Sequence, residues 1–253
     1  MTGLEMVAVF LTGIAAGTIN TVVGSGTLIT FPTLLAFGVP PVTANVSNTI
    51  GLVPGTFTGA VGYRRELAGQ RRRMLSLGVA GFLGGLAGAL LLLGLPDAAF
   101  RTIVPVLIGI GCLLVLLQPV VDRVAPRPHT RDTTQRVPVW VWVLVLMVGV
   151  YGGYFGAAQG VLLIGILGLG IHDSLQRLNG LKNVLAGLVN AVAAVVFIAV
   201  AEVDWVVVAL IAGGSVIGGL LGATVGRRLP QLALRLFIVA VGATALVTFL
   251  VTS

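Results

Sequence analysis

Apolar residues run through this chain in long stretches cut by glycine, proline or charge, without the period-two alternation of barrel strands. Charge-free stretches cover residues 6–63, 74–96, 102–121, 137–172, 183–201, 205–226 and 236–253. Each is near or above the ~20 residues a helix needs to cross a bilayer core. The breaks divide the first half into a segment over 5–23, a Gly-Ser-Gly break at 24–26, a short apolar piece to Phe37 and a turn at Val39-Pro40-Pro41. Full-length spans follow over 42–63, 74–95 and 98–118, then a polar linker over 119–138. The same order returns with a segment over 139–157, a break at 158–160, a short piece to Leu169, and spans over 175–200, 205–226 and 232–251.

The recurrence extends to residues. Gly13-x3-Gly17 matches Gly149-x3-Gly153, Thr27-Leu28-Ile29 matches Val161-Leu162-Leu163, Gly38-Val39 matches Gly170-Ile171, and Ser47-Asn48 matches Lys182-Asn183. A duplication with an offset of roughly 134 residues accounts for all four. Arg64, Arg65, Arg71, Arg72 and Arg73 place one loop in the cytoplasm, and Arg123, Arg127, Arg131 and Arg136 do the same for the linker. In the second half the matching loop carries Glu202 and Asp204 without a base, whereas Arg227, Arg228 and Arg235 mark the following one as internal. The halves are therefore expected to be inserted upside down relative to each other. The predicted fold class is an all-α polytopic membrane protein of two inverted repeats, 1–118 and 139–253, joined by a cytoplasmic linker over 119–138. Each repeat is a broken-helix hairpin plus three transmembrane helices. The first hairpin opens outward, the second inward, and both termini lie outside. Inverted repeats with discontinuous helices meeting near the midplane are common in secondary transporters.

Composition supports the membrane class: 57% of residues are hydrophobic and 9% charged, against roughly 25% charged in soluble domains. The net charge of +7 sits mostly as arginine in short loops, which fits anionic lipid headgroups and gives no reason to expect nucleic acid. A multi-pass protein of the cell (inner, cytoplasmic) membrane is expected, and a homodimer is compatible with the sequence. Cys112 reads as a small packed residue, so no disulfide framework is available. The start of the chain lacks a basic leader and carries Glu5, so no cleaved signal peptide is expected. Trp140, Trp142, Trp205 and Tyr63 read as interfacial anchors.

Backbone groups freed at a helix break must be buried in protein or line a wet cavity. Asn20, Gly24, Ser25, Gly26 and Thr27 put amides, hydroxyls and free backbone at the first hairpin tip, where a restarting helix presents positive N–H groups to an anion. At the second tip Gln159 and Gly160 hold the equivalent place, and the Gln159 amide pairs either with substrate or with the facing hairpin. Asn45, Ser47 and Asn48 open the next helix of the first half. Its partner in the second half carries Asn179, Lys182 and Asn183, with Lys182 the sole lysine of the chain and an expensive charge at that depth. Either an anion or a structural partner answers it. Arg177 reads either as a further donor along the same helix toward substrate or as an interfacial residue that snorkels and pairs with Asp173 at i, i+4. No carboxylate lies deep enough to nominate as a proton carrier or sodium ligand, no catalytic constellation or metal spacing appears, and no cofactor or metal is expected.

The pattern resembles the sulfite exporter TauE/SafE family, also described as toluene-sulfonate uptake permease type transporters. The resemblance rests on Ala16-Gly17-x2-Asn20-x3-Gly24-Ser25-Gly26-Thr27-Leu28-Ile29-Thr30-x-Pro32, the Gly38-Val39-Pro40 turn, the helix start at 44–48, the break at 152–160 and the segment 177–183. It implies a duplicated helical permease, not an enzyme, moving a small sulfur-containing anion such as sulfite or a sulfonate. Family members often carry a Thr-Asn-Lys type sequence where this chain has Ser47-Asn48-Thr49 without a lysine. An anion channel and a non-transporting membrane enzyme or scaffold are the alternatives.

Overall fold

Helix starts and stops follow local chemistry in the computed structural model, which describes residues 1–124, 137–224 and 231–252. α1 (Gly3–Val22) begins at a reciprocal capping box between Thr2 and Glu5. It ends where Gly24 takes φ +94°, a left-handed backbone that glycine adopts without steric cost. α2 (Thr27–Ala36) leads back out, and α3 (Pro41–Gly62) starts with a proline in its first turn, where no hydrogen bond is lost. α4 (Arg71–Gly94) and α5 (Asp97–Val124) complete the first half. The second half repeats the order with α6 (Val139–Tyr154), α7 (Gln159–Gly170), α8 (Leu175–Val200), α9 (Trp205–Thr224) and α10 (Gln231–Thr252). Among the described residues there is no strand.

This is an all-α polytopic membrane fold. α1, α4, α8, α9 and residues 98–117 of α5 are long and apolar enough to cross a bilayer. α3 has the length, with 22 residues or roughly 33 Å, but its apolar character is diluted by Asn45, Ser47, Asn48, Thr49 and Thr56, all buried. Outward faces are greasy: Leu75, Val79, Phe82 and Leu90 of α4 are exposed, as lipid allows and water does not.

Small residues let the helices approach at backbone distance. On α1, a Cβ at Gly17 would lie 2.8 Å from the Ser215 Cα of α9, and on α4 one at Gly88 would lie 2.8 Å from the Tyr154 nitrogen of α6. Directions follow from these contacts. Gly13 lies beside Ile211 and Gly17 beside Ser215, so α1 and α9 run the same way; Gly84 beside Gly149 and Gly88 beside Tyr154 make α4 and α6 parallel. Gly187 faces Thr56 and Gly180 faces Tyr63, so α3 and α8 run oppositely. The packing pairs also repeat when the first five helices are exchanged for the second five. α1 on α9 answers α6 on α4, α3 on α9 answers α8 on α4, α2 on α10 answers α7 on α5, and α3–α8 and α5–α10 map onto themselves.

Several expectations change. The second break spans residues 155–158, because Gly156 (φ 75°) and Ala158 (φ 57°) both turn left-handed; Gln159 and Gly160 are the first two residues of α7 rather than part of the break. α5 continues through Pro119 to Val124, six residues past the expected end of the span at Gln118, since one proline removes one helical hydrogen bond and Val120-Val121 remain apolar. Tyr63 is no interfacial anchor: it is 1% exposed and packs against Gly180. Trp140 and Trp205 sit exposed at helix starts, and Trp142 Nε1 donates to the Ser76 carbonyl at 3.0 Å. Most of the linker, and Arg127, Arg131, Arg136, Arg227 and Arg228, lie outside the described residues.

Candidate functional site

The two hairpin tips touch through their backbones. Gly160 N–H donates to the Gly24 carbonyl at 2.9 Å, and a Cβ on Gly24 would lie 2.8 Å from the Gly160 carbonyl carbon. Only glycine at both places permits that approach. Beside this contact stand Ser25 on one tip and Gln159 on the other, both buried, and neither Ser25 Oγ nor Gln159 Nε2 has a hydrogen-bond partner. The N-terminus of α2, capped by backbone alone at Gly26, opens here as well.

One side of the tip is the carbonyl end of α1, and α8 answers it with donors. Lys182, 1% exposed, places Nζ 3.2 Å from the carbonyls of both Asn20 and Thr21. Asn179 Nδ2 and Asn183 Nδ2 each donate to the Thr21 carbonyl at 3.3 Å. An ammonium at a helix C-terminus meets the negative end of the macrodipole. Among the described residues Lys182 makes no ion pair with a carboxylate; Asp173, on the turn before the same helix, pairs instead with Arg73 and Arg177.

The other side is α3. Asn48 donates from Nδ2 to Thr27 Oγ1 at 3.3 Å and accepts at Oδ1 from Thr30 Oγ at 2.5 Å, tying α3 to the first turn of α2. Asn20 Nδ2 donates to Thr56 Oγ at 3.1 Å. Asn45 caps the end of α6, donating to the Tyr154 carbonyl at 3.0 Å and leaving its Oδ1 without a partner.

Asn20, Gly24, Ser25, Gly26, Thr27, Asn48, Gln159, Gly160, Asn179, Lys182 and Asn183 thus gather around the tips, with Asn45 one step removed at the end of α6. Ser47 does not join them. It points across α3 to the start of α9, where its Oγ accepts from Asp204 N–H at 3.0 Å, since one helical step of 100° separates it from Asn48. Arg177 lies apart, 2.9 Å from Asp173 as its spacing implied. The sequence reading passed over Thr21, Thr30 and Thr56 as site residues. Thr27 and Thr30, three apart on α2, were the available signal; the Thr21 carbonyl had none.

A family model described as Sulfite exporter TauE/SafE matches residues 9–249. A probable membrane transporter protein of Haemophilus influenzae is 26% identical over 229 residues, which are 87% of this chain and 85% of that protein. Probable membrane transporter protein ORF9 of a Sinorhizobium species is 29% identical over 222 residues, 87% of this chain and 80% of that protein. For probable membrane transporter protein YfcA of Escherichia coli K12 the match is 29% over 155 residues, 60% of this chain and 54% of that protein.

Proposed function

Because the chain belongs to the sulfite exporter TauE/SafE family, and so is a multi-pass membrane transporter, we propose that it carries a small sulfur-containing oxyanion, sulfite or an organosulfonate, bound between the two hairpin tips. One observation carries this reading: two buried donors without partners, Ser25 Oγ and Gln159 Nε2, flank the Gly24–Gly160 contact. A buried polar group left unpaired costs roughly 1–3 kcal/mol, and an acceptor-rich oxyanion relieves that cost at both places. Lys182 supplies the positive charge, held at the end of α1 with no carboxylate against it. Asn48, fixed by Thr27 and Thr30, orients the tip from the other side.

The carrier reading uses two inverted repeats, 1–118 and 139–253, about a cytoplasmic linker over 119–138. The opposed directions of α3 and α8 and the exchange symmetry of the packing support it. Rocking of one repeat against the other exposes the tips to each face in turn. Counterflow of labelled sulfite into proteoliposomes is the test. Uptake above that of protein-free vesicles, saturating with internal sulfite, is expected; equal uptake with and without the protein rejects the substrate class.

A further inference from the structure

Among the described residues, buried charge outside the tips is concentrated at one place. Asp173, in the turn between α7 and α8, has a fully buried side chain; Arg73 of α4 and Arg177 of α8 flank it with side chains 4% and 10% exposed. Arg73 Nη1 donates to Asp173 Oδ2 at 2.7 Å, and Arg177 Nε lies 2.9 Å from Oδ1, as an ion contact rather than an aligned hydrogen bond. Arg177 Nη1 donates onward to the Ala68 carbonyl at 3.0 Å, while Gln70 Nε2 donates to the carbonyls of Arg177 and Glu66 at 3.1 and 2.9 Å. Three of these links, Arg73 to Asp173, Arg177 to Ala68 and Gln70 to Arg177, bind the loop after α3 and the start of α4 to the turn before α8 and the start of α8, joining the first half of the chain to the second.

At the opposite end of α3 the equivalent place carries acids, Glu202 and Asp204, without a base. The start of α9 meets α3 through the Asp204 N–H to Ser47 Oγ bond, and the Asp204 carboxylate turns back to accept from Val206 and Val207 of its own helix. Exchange symmetry in the helix packing is therefore broken in the chemistry that closes the two ends.

We propose that Arg73, Gln70, Asp173 and Arg177 form an ionic latch that keeps the hairpin tips closed to the face bearing the arginine-rich loop, and that opening toward that face requires Asp173 to part from Arg73. The proposal rests on the reading that the tips hold the transported ion. A buried ion pair gains little net free energy over its separately hydrated partners, so the pair can part once water reaches it. Removing the carboxylate has a larger effect, because two buried guanidinium groups then lose the opposite charge that lies between them. Asp173→Asn leaves two guanidinium groups side by side and shifts the balance toward the state open on that face.

The test labels the tip itself. In a Cys112→Ser background, Ser25→Cys is reacted with a membrane-impermeant maleimide in sealed vesicles of each orientation. Adding Asp173→Asn is expected to speed labelling from the face of the arginine-rich loop by about tenfold or more and to leave or slow labelling from the other face. Gln70→Ala, which removes a neutral link and creates no buried charge, is expected to give a smaller acceleration with the same sidedness. The exchanged pair Arg73→Asp with Asp173→Arg is expected to return toward the parent rate. Equal acceleration from both faces, or none in either variant, overturns the latch and leaves a structural staple. Labelling reports access without any substrate, so one-sided acceleration together with absent sulfite counterflow keeps the latch and rejects the anion reading. The reverse outcome does the opposite.

Discussion

At the residue scale the tip separates groups that hold the protein together from groups that lack a protein partner. Lys182 belongs partly to the first kind, since its ammonium sits on the carbonyls of Asn20 and Thr21. Lys182→Met is expected to lower stability by roughly 1–3 kcal/mol, because a hydrogen bond to a charged group is lost while Asn179 and Asn183 still serve Thr21. It also removes the positive charge, so anion affinity in a thermal-shift titration falls about tenfold or more. Ser25→Ala is the sharper probe. Its hydroxyl is buried without a partner, so deleting it leaves apparent stability equal or raised by about 0.5–1 kcal/mol in the absence of ligand. If Ser25 binds substrate, the same variant weakens the sulfite-induced shift. A loss of ligand-free stability with an unchanged sulfite shift rejects the binding role and assigns the hydroxyl to structure.

At the element scale the bundle is set by where helices are allowed to touch. Gly17→Ala drives a methyl group toward the Ser215 backbone, which no rotamer change relieves, and is expected to lower the unfolding midpoint in detergent by several degrees. Gly109→Ala on α5 meets no atom within 4 Å and is expected to hold or raise it through helix propensity alone. Equal midpoints for the two variants would contradict close backbone approach as the packing principle. Boundaries of these elements were legible in the sequence because glycine, proline and charge interrupt an otherwise continuous apolar text; predicted starts at 139, 175 and 205 coincide with α6, α8 and α9. Less legible was everything decided by a partner far along the chain. Arg73 reads as one more basic loop residue until Asp173, a hundred positions away, buries it. Tyr63 has the look of an interfacial anchor until Gly180 leaves room for it, and Ser47 shares a tripeptide with Asn48 yet faces another helix. The break in the second hairpin was displaced by the left-handed Ala158, a conformation that alanine composition does not announce.

For the whole molecule, the two ends of α3 decide which loops share a face. At its C-terminal end, Gln70 and Ala68 are joined to Arg177, so the loop over 63–70 and the turn over 171–174 lie together. At its N-terminal end, Ser47 is joined to Asp204, which brings the turn over 37–40 toward the loop over 201–204. About 33 Å of helix separates the two pairs, close to the thickness of a hydrocarbon core. In a Cys112→Ser background, single cysteines at Arg65 and His172, both exposed, are therefore expected to react with an impermeant maleimide from one face of sealed vesicles. Cysteines at Ala36 and Glu202, also exposed, are expected to react from the other. The positive-inside tendency of Arg64, Arg65, Arg71 and Arg72 predicts that the first pair reacts from the cytoplasmic face. Since His172 and Glu202 flank α8 while Ala36 and Arg65 flank α3, this single pattern also reports that the two equivalent helices cross in opposite senses. Reaction of all four from one face, or of Arg65 and Glu202 together, would remove the inverted relation on which rocking about the tips depends.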